Sequence, residues 1–205
     1  MILEIAVFDI ESAILAATAG ADRLELCQNY KDGGTTVSYG MLALARELIQ
    51  IPVFPIIRPR GGNFCYSDHE FEIMKKDISL CKSIGYDGVV LGLLNEDETI
   101  DESRTTALVE AAYPLDVTFH RAFDKTKEPL EALEQIIQTG CSRILTSGQM
   151  PDAFTGANMI KELLHVANNR IIIMPGGGIR SNNIEQLALK TYAEEFHSAA
   201  IKKSN

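Results

Sequence analysis

Eight short apolar runs of β type recur along the 205 residues, and all but the last are followed by a polar or glycine-rich cluster and then an amphipathic helical stretch. The strand candidates are residues 2–7, 23–27, 53–57, 88–91, 116–119, 143–146, 171–174 and 195–197. Several are too apolar to alternate between two faces, which is typical of strands covered on both sides. Repeated βα units of this kind predict an α/β fold, a TIM-type (β/α)8 barrel.

Helical periodicity between the strand candidates supports this fold. Phe71, Met74 and Ile78 recur at spacings of three and four, so they share one face of a helix. Pro129 stands where the first turn of a later helix is expected. Gly85 follows a helical stretch and precedes a strand, which is the position of a glycine C-cap. These signals predict helices between parallel strands.

The chain after the last strand candidate is too short and too polar to supply an outer helix. We therefore predict that the eighth helix is short or missing. Strand surface left open beside the first and last strands would be apolar, and a second subunit would cover it, so a homodimer is expected. No linker or change of composition divides the sequence, which predicts a single barrel domain over residues 1–205.

Composition limits the classes of partner. Hydrophobic residues make up 46% of the chain, yet no run is long enough to span a membrane, and no export signal is visible. The four cysteines show no close pairing, so reduced thiols and a cytoplasmic location are expected. A net charge of -9 argues against nucleic acid as a partner, because phosphate backbones require a basic face.

Polar residues gather where the strand candidates end, which in a parallel barrel is the functional rim. The residues of this kind are Glu25, Cys27, Arg58, Arg60, His120, Arg121, Asp124, Ser147, Gly176, Gly177, Gly178, His197 and Ser198. Because the carboxyl ends of all the strands meet at one mouth, we expect these residues to share a site. The sequence thus predicts a polar cavity at that rim.

Acid–base chemistry is the first interpretation of this rim. Glu25 and His120 are candidates for the base and the acid, with Arg121 beside them to hold an anion. A structural interpretation stays open, in which Asp124 ties up His120 and the inward charges form an ion-pair network that stabilises the barrel.

Anion binding is the second interpretation. Glycines 176–178 end a strand and precede a helix start, a place where backbone amides often hold a phosphate. Arg58, Arg60 and Ser147 could contribute further donors. The alternatives are a tight turn without a ligand and a salt bridge within a loop.

A soft metal is the third. Cys27 and Cys65 fall at or near the same rim, and thiolates are preferred ligands of Cu(I). The chain has no CxxC, no HxxxH and no methionine-rich run, and isolated cysteines are more often buried as small apolar residues.

Several blocks of the sequence carry a resemblance. They are GADRLELCQNYKDGGTTVSYG, FPIIRPRGGNFCYSDHEFEIMKKDI, GYDGVVLG, VTFHRAFD, RILTSGQ, IMPGGGI and EFHSAA. In this order they resemble the successive blocks of the CutC family, which is named for copper homeostasis. The resemblance implies a cytoplasmic, often dimeric TIM-type barrel with a role in handling copper, and of the family's cysteine ligands it assigns only Cys27.

Three hypotheses for the function therefore remain open. In the first, the chain is a CutC-like copper homeostasis protein in which Cys27, with Cys65 or His197, takes up Cu(I). Alternatively it is an enzyme of unassigned reaction that acts on a small anionic or phosphorylated molecule. A third hypothesis is a degenerate barrel kept as an interaction scaffold, which a collapsed mouth with fully paired charges would support.

Overall fold

The computed structural model describes residues 1–199. Its strands are β1 (Ile2–Val7), β2 (Arg23–Leu26), β3 (Val53–Pro55), β4 (Gly88–Leu91), β5 (Asp116–Phe119), β6 (Arg143–Thr146), β7 (Ile172–Pro175) and β8 (Glu195–Ser198). Its α-helices are α1 (Ile10–Thr18), α2 (Tyr39–Leu48), α3 (Asp68–Ile84), α4 (Glu102–Ala112), α5 (Pro129–Thr139), α6 (Ala157–Ala167) and α7 (Ile184–Thr191). Short 3-10 helices, Tyr30–Asp32 and Arg121–Lys125, follow β2 and β5.

All the strand pairings in this range are parallel, and they form two four-stranded sheets. The strand orders are β3-β2-β1-β8 and β4-β5-β6-β7. Isolated parallel bridges, Ile56 to Val90 and Gly176 to His197, link the sheets at both edges. This order, with helices between successive strands, confirms the predicted TIM-type α/β fold.

Local sequence explains the helix ends. The side chain of Ser67 accepts a hydrogen bond from the Glu70 amide, and the Glu70 carboxylate accepts one from the Ser67 amide, which starts α3 with a capping box. Gly85 ends that helix, and Pro129 opens α5, both as predicted. The boundaries of α3 and the start of α5 therefore fall at residues whose chemistry favours them.

The packing divides into an outer and an inner part. Buried faces of the helices cover the outward-pointing strand residues and form the main apolar core. Inside the barrel the apolar cluster is small, with Cys27, Phe54, Ile56 and Val90. Much of the remaining interior is charged, which is unusual for a fold whose interior is normally layered with branched apolar residues.

The prediction of a short or missing eighth helix concerns residues 200–205, which lie outside the described residues. Within residues 1–199, every helix is either too short or too polar to cross a bilayer.

Candidate functional site

A cavity of about 700 Å³ opens at the carboxyl ends of the strands. Ten residues predicted from the sequence line it, namely Glu25, Cys27, Arg58, His120, Arg121, Asp124, Gly177, Gly178, His197 and Ser198. Other polar residues at the cavity wall are Asp32, Lys125, Gln149 and Arg180. Side chains from most of the strand ends therefore meet in one place.

An ion-pair network fills the barrel beneath the cavity. The Glu195 carboxylate accepts from Arg23 Nη2 and from Arg143 Nε, each at 2.7 Å, and Arg23 Nε donates to Glu4. All four residues are at least 94% buried. The Phe54 ring lies 5.0 Å from the Arg23 guanidinium and 5.6 Å from that of Arg143. Two carboxylates thus balance two guanidiniums in the interior, as buried charges require.

His197 connects this network to the cavity. Its Nδ1 lies 2.7 Å from Glu4 Oε1, and its Nε2 lies 3.7 Å from Glu25 Oε2. Burial alone would lower the pKa of His197, but the hydrogen bond to Glu4 and the charges of Glu25 and Glu4 raise it. Burial would likewise raise the pKa of Glu4, yet His197 and Arg23 together bring it to about 2. The two carboxyl groups on either side of the His197 ring therefore favour its protonated form.

Glu25 differs from the carboxylates below it because no arginine pairs with it in the described chain. Burial, assisted by the charge of Glu4, raises the pKa of Glu25 against the opposing charge of His197. The Cys27 thiol is hydrogen-bonded to Glu25, and burial together with the charge of Glu25 raises the pKa of Cys27 well above its usual value. Cys27 is thus a protonated thiol, and Glu25 is a carboxyl group whose pKa is raised toward neutral pH.

His120 lines the cavity as a neutral ring. Its Nδ1 accepts a hydrogen bond from the Ala122 amide at 3.2 Å, so the proton of the neutral imidazole sits on Nε2. Burial, followed by the charge of Arg58, lowers the pKa of His120 to about 3. Within residues 1–199, Nε2 has no hydrogen-bond partner although it is buried. The site therefore holds an imidazole N–H donor that awaits an acceptor.

The position of this ring depends on a glycine after β4. A Cβ atom on Gly92 would lie 2.4 Å from His120 Nδ1, far inside van der Waals contact. The Phe64 ring packs on the other side, with 4.9 Å between the ring centroids. Gly92 and Phe64 thus fix where the imidazole lies.

Arg58 holds two loops together. It donates to the backbone carbonyls of Asp32 at 2.5 Å, Gly34 at 2.8 Å and Gly62 at 2.9 Å. Only 4% of the residue is exposed. Its charge reaches the cavity, but most of its donors serve the loops after β2 and β3. Arg58 thus clamps the two loops, and the anion contact predicted from the sequence stays a prediction, since its Nε is buried without a hydrogen-bond partner in residues 1–199.

Arg60 and Cys65 lie outside the cavity lining. Arg60 Nε donates to Glu70 at 2.6 Å, and the rest of its guanidinium binds nearby carbonyls. Cys65 Sγ donates to the Asn95 carbonyl at 3.2 Å. The structure therefore does not bring Cys65 into the cavity beside Cys27, nor Arg60 beside Arg58.

On the opposite side of the mouth, Asp124 organises the loop after β6. Its carboxylate accepts from Arg121 Nε at 2.7 Å, from the Ser147 amide at 3.1 Å and from the Ser147 hydroxyl at 3.0 Å. Arg121 Nη2 also donates to the Ser147 hydroxyl at 2.7 Å. Ser147 is fully buried and does not line the cavity. Ser147 thus supports Arg121, and Asp124 contacts Arg121 instead of His120.

The glycine loop after β7 borders the cavity beside Arg121. The Gly176 amide donates to the Thr146 carbonyl at 2.8 Å and so belongs to the sheet. Gly177 and Gly178 line the cavity, and their amides make no hydrogen bond to another residue of the 1–199 range. The Arg121 guanidinium lies next to Gly177. Two amides and one arginine edge can therefore bind an anion here.

The residues beneath the site were not identified from the sequence. Arg23, Arg143 and Glu195 were placed in strands without a role, and His197 was expected at the rim and as a copper ligand but not as the link to charges below it. A signal was available, because Arg23 with Glu25 and Glu195 with His197 are spaced by two and share a strand face. Charged residues at successive inward positions indicate a polar barrel interior.

Copper can be tested against the donors present. Cu(I) is bound by several soft ligands, chiefly thiolates. Cys27 is a single thiol held in its protonated form, and the described residues contain no group of three or more His, Cys, Asp or Glu side chains able to hold a metal ion. These residues do not fit a resident copper ion.

Comparisons with known proteins agree with the resemblance. The family model described as CutC family matches residues 1–202. A CutC family protein of Chromobacterium violaceum is 50% identical over 97% of this chain and 81% of its own length. The human copper homeostasis protein cutC homolog is 47% identical over 97% of this chain and 73% of its own length.

Solved structures show the same fold. The putative copper homeostasis protein CutC from Streptococcus agalactiae superposes with a TM-score of 0.93 at 33% identity, covering 98% of this chain and 100% of that one. A protein titled QR15, an aldolase, has a TM-score of 0.73 at 15% identity, over 96% of this chain and 89% of that one, which concerns the fold alone. By its sequence and its structure, the chain belongs to the CutC family.

Proposed function

We propose that this chain serves copper homeostasis, the role for which its human relative is named, through an enzyme-like cavity that binds a small anionic molecule. The observation that carries the proposal is the pairing, in one cavity, of unsatisfied donors at the rim with a buried acid–base pair at the base. A scaffold with a collapsed mouth would show neither.

The rim supports the anionic part of the ligand. Gly177, Gly178 and Arg121 line the cavity, the Arg121 guanidinium lies next to Gly177, and Lys125 adds a second cationic side chain. Backbone amides together with a guanidinium are the donors that phosphate and carboxylate groups prefer. A cavity of about 700 Å³ has the size of a small-molecule site.

The base of the cavity supports chemistry. Glu25 has a raised pKa, which suits a general base near neutral pH, and His197 lies beside it as a proton donor. Glu4 holds His197 in place from below. This is the arrangement of an acid–base site, so we infer an enzyme.

The link to copper is then indirect, since the donors described above do not fit a resident ion. We also infer a cytoplasmic location, because all four cysteines are free and a reducing compartment keeps thiols so.

A second copy of the chain is our proposal for the apolar groove between α1 and β1. Leu3 and Ile5 of β1 line this groove, and Leu15 of α1, which also lines it, is 69% exposed. The same surface thus presents both a protruding side chain and an apolar recess, as a two-fold interface requires. Sedimentation should show a dimer that Leu15→Glu dissociates, and a monomeric wild-type protein would contradict it.

Binding of inorganic phosphate, measured by calorimetry, tests the cavity. Arg121→Ala should weaken phosphate binding by about tenfold, which corresponds to the loss of one charge-assisted hydrogen bond. Arg170→Ala is the matched control, because Arg170 is a half-exposed arginine that pairs with Glu134 outside the cavity lining. Absence of phosphate binding, or equal loss in both variants, would contradict an anion site.

Anaerobic titration with Cu(I) against a competing chelator tests the alternative. We expect no stoichiometric copper, and equal weak uptake by the wild type, Cys27→Ser and Cys141→Ser. One equivalent of Cu(I) that Cys27→Ser abolishes and Cys141→Ser preserves would establish a copper site instead.

A further inference from the structure

His120 and Glu25 indicate which functional group the ligand carries besides its anionic part. His120 is 95% buried, and its Nε2–H lacks an acceptor within residues 1–199. A buried donor without a partner loses its hydrogen bond to water, and a ligand acceptor would restore one. Because the ring is neutral, it supplies a hydrogen bond without a formal charge. A carbonyl oxygen of the ligand is the acceptor that such a donor fits.

Glu25 supplies the complementary group. Its carboxylate lies 3.7 Å from the His197 ring and beside the Cys27 thiol, whereas Glu195 beneath it is held by two arginines. A carboxylate without a bound arginine is free to accept a proton. Ala6, Ile56 and Leu145 line the same cavity, so its polar groups lie beside apolar walls.

Resting on the function proposed above, we propose that the bound molecule is a small anionic carbonyl compound, and that the reaction moves a proton at the carbon next to the carbonyl group. Glu25 takes the proton, so a C–H bond breaks and an O–H bond forms. The electron pair of that C–H bond forms a C=C bond, and the carbonyl π electrons move to oxygen. His120 Nε2–H stabilises this enolate. Return of the proton to the opposite face of the same carbon inverts that carbon, and its return to oxygen gives the enol, so neither outcome needs another reactant.

The strands argue for an enolate over an imine. None of the eight strands carries a lysine, and Lys125, which lines the mouth, lies on a 3-10 helix after β5. An amine that could condense with a carbonyl at the base of the barrel is therefore absent from the described strands. Proton transfer needs only the carboxylate and the neutral imidazole already present.

Deuterium exchange provides the test. The full chain is incubated in D₂O with dihydroxyacetone phosphate, glycolaldehyde phosphate and pyruvate in turn, and loss of the proton next to the carbonyl is followed by NMR. We expect exchange with at least one of the three. Glu25→Gln should slow it by about 100-fold or more, the usual contribution of a general base. His120→Ala should slow it by a similar factor, and His120→Gln, which keeps an N–H donor, should restore part of the rate.

Controls and contrary outcomes separate this inference from the one on which it rests. Glu47→Gln and His165→Ala change exposed residues on α2 and α6 and should leave exchange unchanged. Phosphate binding without exchange of any of the three compounds would overturn the carbonyl inference and leave the anion site standing. Exchange that survives Glu25→Gln would also overturn it. Failure to bind phosphate at all would instead overturn the proposed function.

Discussion

The barrel interior of this chain holds two groups of charges that are treated differently. In the lower half, Glu4, Arg23, Arg143 and Glu195 are paired with one another within hydrogen-bond distance. In the upper half, Glu25 has no arginine partner and His120 has a donor without an acceptor in the described chain. Both halves are buried, so solvent does not explain the difference.

The two halves differ in whether their buried polar groups are already paired or are available to a ligand. A buried charge that is fully paired balances its own desolvation and needs no ligand. A buried polar group left unpaired is costly, and it persists where a ligand completes it. His197 lies between the halves, since Glu4 holds its Nδ1 and Glu25 faces its Nε2. The lower network thus positions the upper site.

The largest effect is expected in the lower half. Glu195→Gln should reduce the free energy of unfolding by about 3–5 kcal/mol, because the buried Arg143 loses its counter-charge and Arg23 keeps only Glu4. Urea denaturation measures the loss. Glu134→Gln is the control, since Glu134 pairs with Arg170 at the surface, where such pairs contribute about 0–1 kcal/mol. Equal losses in both variants would show that the lower network is not a structural unit.

Arg58 tests the boundary between the halves. Arg58→Ala should cost about 2–3 kcal/mol of unfolding free energy, because three loop carbonyls lose a charged donor. The sequence alone suggested the opposite, an anion ligand whose removal leaves the fold intact. Arg60→Ala, a change outside the cavity, should cost less. Unchanged stability together with weaker phosphate binding would return Arg58 to the site.

Much of the fold was predictable, and part of the site was. The positions of the strands followed from apolar runs. The ends of helices followed from residues such as Gly85 and Pro129, whose local chemistry favours a helix end and a helix start. Glu25, Cys27 and His120 were placed correctly at the mouth, because parallel strands bring their carboxyl ends together. Side-chain partners were not predictable, since Arg60 reaches Glu70 through a loop whose path no periodicity records.

The same limit applies to the metal hypothesis. Cys65 follows β3 closely in sequence, and the expectation of a shared rim with Cys27 used only that proximity. The loop turns the Cys65 thiol toward Asn95, away from the cavity. Long-range pairs such as Arg143 with Glu195 are likewise set by barrel geometry and not by local sequence.

Acid should act on the upper half through His120. Its pKa is near 6.5 in an unfolded chain and about 3 in the folded one, so the unfolded state binds more protons between these values. Its contribution to stability is therefore present above pH 6.5 and is lost as pH falls toward 3. The slope reaches about 1.4 kcal/mol per pH unit for one proton.

Unfolding is measured from pH 6.5 to pH 5 in the wild type and in His120→Gln, because Glu25 and His197, whose pKa values are raised, also change protonation near this range and contribute to both proteins. The rise of stability with pH should be steeper in the wild type than in His120→Gln, whereas His165→Ala, a change of an exposed histidine, should keep the wild-type slope. An unchanged slope in His120→Gln would mean that the imidazole is not held neutral.

The smallest stability effect should separate the two rims of the barrel. Gly177 at the mouth has a φ of +103° and Gly20 at the opposite rim has a φ of +96°. Alanine at either position adopts left-handed backbone at a cost of about 1–2 kcal/mol, so Gly177→Ala and Gly20→Ala should destabilise the fold alike. Gly177 lines the cavity and Gly20 does not, so the strained backbone displaces a cavity amide only in Gly177→Ala. Only Gly177→Ala should therefore weaken phosphate binding, which calorimetry on both variants would show, and an equal affinity in the two would place the anion away from this loop.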